Sequence, residues 1–109
     1  MPPGDARVIR PAIPDGYKIV ADSARVMRGW RDLEDRVPED IARVAARLSL
    51  APLERYPRRQ FPLKYGSFRH IWEYEVNGAD RIFYRVDNGE RVVVILYAGP
   101  HANAIDVLQ

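Results

Sequence analysis

Between Ile71 and Ala98 the chain runs through three strand-like segments, the first two in a two-residue rhythm. IWEYEV runs from Ile71 to Val76, RIFYRVD from Arg81 to Asp87, and RVVVILYA from Arg91 to Ala98. The turn signals NGAD and Asn88-Gly89 fall between them. A period of two broken by such turns rules out a helix and dictates an antiparallel meander. The third run is apolar almost throughout, which suits a central strand buried on both faces.

Side chains on a strand alternate between faces, so the apolar sets of paired strands must share a face. Trp72, Tyr74 and Val76 form one set, and Ile82, Tyr84 and Val86 the next. Their pairing calls for an odd-length loop centred near Ala79, with Glu73 across from Arg85. The opposite face then carries Glu73, Glu75, Arg81, Phe83 and Arg85, a charged surface with one aromatic in it. The three rings at Trp72, Tyr74 and Tyr84 read as core.

Upstream the period changes. YKIVA, from Tyr17 to Ala21, reads as a strand, and Asp22-Ser23 offers a helix cap. Val26, Trp30, Leu33 and Val37 then recur at spacings of four, three and four, one stripe of an amphipathic helix. Pro38-Glu39-Asp40 ends that helix and suits the first turn of another, since proline needs no donor there and acids favour that end. Ile41, Val44, Ala45 and Leu48 line the second helix, and Ala51-Pro52 closes it. The pair is a helical hairpin, and the whole an α+β domain: strand, helical hairpin, meander.

The 109 residues make one domain large enough for its own core. Residues 1–16 hold four of the nine prolines and little periodicity. They read as an irregular Pro-rich N-terminal arm before a domain over 17–109. That arm has no apolar signal-peptide core, and no apolar run approaches the roughly 18 residues of a membrane span. A cytoplasmic protein with no membrane partner is expected. Cysteine is absent, which removes disulfides, cysteine nucleophiles and thiolate metal sites. The two histidines, His70 and His101, make no metal site with the carboxylates at hand.

Seventeen basic residues against fifteen acidic give a formal +2, too little to demand nucleic acid. The distribution says more. YPRRQFPLKYGSFR, from Tyr56 to Arg69, carries Arg58, Arg59, Lys64 and Arg69 among four aromatics and no acid. Such a stretch suits phosphate contact with base stacking, or a solvated loop.

The order of elements, with these motifs, resembles the RelE/ParE superfamily of bacterial toxins from toxin–antitoxin pairs, over about Tyr17 to His101. The segments that carry the likeness are W-x-x-L at Trp30 to Leu33, F-P-L-K-Y-G at Phe61 to Gly66, the Trp72 strand with its turn and R-I-F-Y, and the last strand running into Gly-Pro-His. The resemblance implies a small twisted antiparallel sheet with the helical hairpin on one face, a RelE-like fold. It implies an endoribonuclease that cuts messenger RNA on the ribosome without metal or cofactor. There the 2′-hydroxyl attacks the adjacent phosphate and leaves a 2′,3′-cyclic phosphate. A cognate antitoxin would hold it inactive in a hetero-oligomer.

His101 resembles the histidine that serves as general acid or base in YoeB-like and YafQ-like members, and an ordinary imidazole pKa near 6.5 suits proton transfer. Arg81 matches an arginine that contacts the scissile phosphate, and an ion pair with Glu73 or Glu75 is equally open to it. Lys64 matches the lysine of P-L-K-G and would hold phosphate as a point charge. Arg69, Arg85, Arg58 and Arg59 are candidates for RNA-backbone contact. YoeB-like members place a glutamate just before P-L-K, where this chain has Phe61. Glu73 is available for that role, against a structural one opposite Arg85. The alternative within the same fold is a ParE-like toxin that binds DNA gyrase and has no nuclease chemistry.

Overall fold

The computed structural model describes residues 7–63 and 70–101. A six-stranded sheet backs two helices. In chain order the elements are β1 (Val8–Arg10), β2 (Lys18–Ala21), α1 (Ala24–Arg36), α2 (Pro38–Leu50), β3 (Gln60–Pro62), β4 (Trp72–Glu75), β5 (Asp80–Asp87) and β6 (Val92–Pro100). Across the sheet the order is β1-β2-β6-β5-β4-β3. Strand β6 lies inside the sheet, as its continuous apolarity requires. Among the described residues no helix is long and apolar enough to cross a membrane.

Two strands fall where none is expected. Within the Pro-rich arm, residues 11–16 are irregular, but Val8–Arg10 form β1 along the edge of β2. Inside the basic stretch, Gln60–Pro62 form β3 at the other edge. Both have three residues, too few to show a period. The sheet is also not wholly antiparallel, because β2 runs parallel to β6 with Lys18 beside Val92 and Ala21 beside Ile95.

Local chemistry explains the helices. The Ser23 hydroxyl accepts from the Val26 N–H at 3.2 Å, capping α1. Pro38 opens α2 with Glu39 and Asp40 in its first turn. Val26, Trp30 and Leu33 from α1, with Ile41, Val44 and Leu48 from α2, are buried against Ile19, Tyr74, Ile82, Tyr84, Val93 and Ile95 of the sheet. Helix α1 lies chiefly along β6. Trp72 is half-buried with its ring stacked on Tyr84, centroids 6.3 Å apart.

The meander closes tighter than the alternation alone suggests. Glu75 pairs with Arg81 and Glu73 with Phe83, so the β4–β5 turn centres on Gly78 and not Ala79. The cause is Asn77, whose side-chain oxygen accepts from the N–H groups of Ala79 and Asp80, both at 2.8 Å. A two-residue shift of cross-strand partner keeps every side chain on its face. It does move Glu73 away from Arg85.

Candidate active site

Seen from the side away from the helices, the sheet carries a row that crosses four strands: Phe61, Glu73, Phe83 and Tyr97. Phe83 is fully buried there with Leu63 and Ile71, flanked by Phe61, Leu96 and Tyr97. The open face is therefore more than a charged surface, since it has a small apolar floor. Tyr97 reaches it through a bulge. Phe83 faces Tyr97 while Tyr84 faces Ile95, which leaves Leu96 as the extra residue and turns Tyr97 outward. The Phe83 and Tyr97 rings lie 5.9 Å apart, and the Tyr97 hydroxyl donates to the Pro100 carbonyl at 2.6 Å.

The next row carries the charge. Arg81 sits between Glu75 on β4 and Gly99 on β6. Its Nε is 3.3 Å from Glu73 Oε2 and its Nη2 is 3.6 Å from Glu75 Oε1. Its Nη1 donates to the carbonyls of Asn77 at 2.8 Å and Asp80 at 3.0 Å. The Nε–H is buried and poorly aligned on Glu73, so it makes no hydrogen bond. The side chains keep 9% exposure at Arg81, 11% at Glu73 and 34% at Glu75.

His101 follows β6 at the same end. Its backbone N–H donates to the Ala79 carbonyl at 2.8 Å, which pins it beside the β4–β5 turn. Its side chain is exposed. The two rows thus bring an imidazole, a guanidinium and two carboxylates to one corner of the sheet. Burial pushes the Glu73 carboxyl above its ordinary range. Arg81 opposes that shift, Glu75 reinforces it, and His101 opposes it. Burial, with Asp80 nearby, also raises the Tyr97 phenol, against Arg25.

The other candidates lie apart or outside view. Arg85 is exposed on the open face, four residues along β5 from Arg81, or about 13 Å at the usual strand rise. Arg58 is exposed in a left-handed turn with φ 66°. Arg59 donates to the Glu75 carbonyl at 3.2 Å and the Val76 carbonyl at 3.3 Å. Both belong to the rim beyond β3, where they line a groove of about 380 Å³ with Tyr56, Asn77 and Gly78. Lys64 and Arg69 fall outside the described residues. Tyr97 was missed by sequence reasoning, because the run from Val92 to Ala98 shows no polar partner to reveal the bulge.

No family model matches the chain, and no curated protein matches it. Solved structures do. A YoeB/ParE toxin from Agrobacterium tumefaciens superposes with a TM-score of 0.63 at 16% identity, over 76% of this chain and 96% of that one. The RelBE2 toxin–antitoxin complex from Mycobacterium tuberculosis gives 0.55 at 24% identity, over 79% and 99%. The DinJ-YafQ toxin–antitoxin complex from E. coli gives 0.61 at 16% identity, over 79% and 93%. At these identities the likeness is one of architecture, and on it this chain has a RelE-like fold.

Proposed function

We propose that this chain is the toxin of a toxin–antitoxin pair and cuts messenger RNA on the ribosome, in the cytoplasm, until a cognate antitoxin covers it. The observation that carries the reading is the corner where His101, Arg81, Glu73 and Glu75 meet beside the half-buried Tyr97 ring. Cleavage through the 2′-hydroxyl needs a proton acceptor, a proton donor and positive charge near the phosphate. Imidazole, carboxylate and guanidinium are all present at that corner. Tyr97 offers a ring on which a base can stack. His101 protonates the leaving 5′-oxygen in this reading. Arg81, tied to two carboxylates, lends its field more than a free fork, and Lys64 is the sequence's candidate for direct phosphate contact. Arg85, Arg58, Arg59 and Arg69 would follow the RNA backbone farther out.

The test is a cell-free translation reaction with the purified chain, message ends mapped by primer extension, beside His101→Gln. The expected result is cuts in register with codons, dependent on ribosomes, and weakened about 10²- to 10⁴-fold in the variant. Intact messages with unimpaired translation overturn the nuclease reading and direct the next assay to gyrase supercoiling.

A further inference from the structure

Resting on that nuclease reading, we infer that Glu73 is the general base, and that Arg81 is the residue that positions it.

The chemistry narrows the choice. The reaction needs one group to remove the 2′-hydroxyl proton and another to protonate the 5′-oxygen. If His101 supplies the second proton, the first must go to another group at the same corner. Among the described residues three carboxylates lie near that corner, and Asp80 is taken up by Arg36 at 3.2 Å and Asn77 at 3.1 Å with its side chain 4% exposed, which leaves Glu73 and Glu75. Glu75 lies at the outer rim, its backbone carbonyl held by Arg59 and its side chain the more exposed of the two. Glu73 lies one row inward, in line with Phe61, Phe83 and Tyr97. A base set among rings is beside the place where a nucleotide would stack.

Its contact with Arg81 is of the right kind. A carboxylate gripped by two short, aligned guanidinium bonds is a poor base, because its lone pairs are spent and its pKa is driven down. Glu73 has one misaligned approach at 3.3 Å, while Arg81 spends its best bonds on the Asn77 and Asp80 carbonyls. The carboxylate is oriented but not consumed. Among the described residues the charged groups facing it are Arg81 from β5, Glu75 from its own strand and His101 after β6. Burial outweighs the opposing pull of Arg81 and His101 and raises its pKa, the direction that strengthens a base.

The step balances without an added reactant. Glu73 takes the 2′-hydroxyl proton as the 2′-oxygen bonds to phosphorus. The P–O5′ bond breaks, and the 5′-oxygen leaves with its electron pair and takes a proton from the His101 imidazolium. The products are a 2′,3′-cyclic phosphate and a 5′-hydroxyl.

The experiment uses the full chain on ribosomes programmed with a defined message, in single-turnover time courses. A wild-type chain that cuts nothing overturns the nuclease reading, and the base with it. If wild type cuts, Glu73→Gln is expected to slow cleavage about 10²- to 10⁴-fold. A message with sulfur replacing the 5′-oxygen at the cut site then separates base from acid, because a thiolate leaves without a proton. His101→Gln should recover on that message and Glu73→Gln should not. A Glu73→Gln rate within about threefold of wild type, or its recovery on the sulfur message, overturns the assignment. Should that variant fail to fold, the wild-type pH profile decides. The rate should fall as pH drops, with its midpoint above the ordinary glutamate value of about 4.3, and Arg81→Gln should move the midpoint higher still. A wild-type rate flat down to about pH 4.5 overturns the proposal.

Discussion

Gly29 shows how one atom can set the distance between a helix and a sheet. A β-carbon built there would stand 2.2 Å from the Ala98 carbonyl oxygen, so α1 touches β6 backbone to backbone. Gly29→Ala gains about 1 kcal/mol of helix propensity and forces that contact apart at about 3 kcal/mol. The clash wins, and urea unfolding should show a net loss of about 2 kcal/mol. Tyr84 is a second such point. Its hydroxyl donates to the Pro52 carbonyl at 2.7 Å and accepts from Gln60 at 2.9 Å, while Gln60 also binds Arg47 and the Ala51 carbonyl. Tyr84→Phe should lower stability by about 1–3 kcal/mol and leave the proposed message cleavage unchanged, since the hydroxyl lies on the helix side of the sheet. Burial raises the Tyr84 phenol, against the bond from Gln60. A raised folded-state pKa stabilises below the unfolded value of about 10 and is lost as pH rises past it. Wild type should therefore lose stability above about pH 10, and the phenylalanine variant should lack that component in melts at alkaline pH.

At the scale of elements, the two helices and the three meander strands follow from apolar pattern and turn signals. Trp30 and Leu33 mark a helix face and Tyr84 a strand face, whatever surrounds them. The short edge strands do not follow, because Val8–Arg10 and Gln60–Pro62 owe their state to the neighbour they pair with. The corner of the site was half readable. Alternation puts Glu73, Glu75 and Arg81 on one face, but the partner of Glu73 depends on a turn that Asn77 tightens by its own side chain. Strand β1 is also the element whose removal is most informative. It shields the outer edge of β2, Ile9 packs on the core, and Arg7 donates to the Asp22 carbonyl at 2.8 Å. Deleting residues 1–11 should cost about 2 kcal/mol in chemical denaturation. It should also make the protein associate at high concentration in sedimentation runs, since a bare strand edge invites another.

For the molecule as a whole, the parallel pairing of β2 with β6 sets a schedule. Lys18 meets Val92 and Ala21 meets Ile95, so the second strand has no place in the sheet until the sixth has been made. Helix α1 waits on the same strand, and His101 comes after it. A ribosome that has translated as far as Gly89 has produced two amphipathic helices and a hairpin in progress, with no sheet centre for either to lie on. Contacts this distant in sequence form slowly and late. A nascent chain therefore lacks the corner that holds His101, which assembles only after β6 has cleared the exit tunnel.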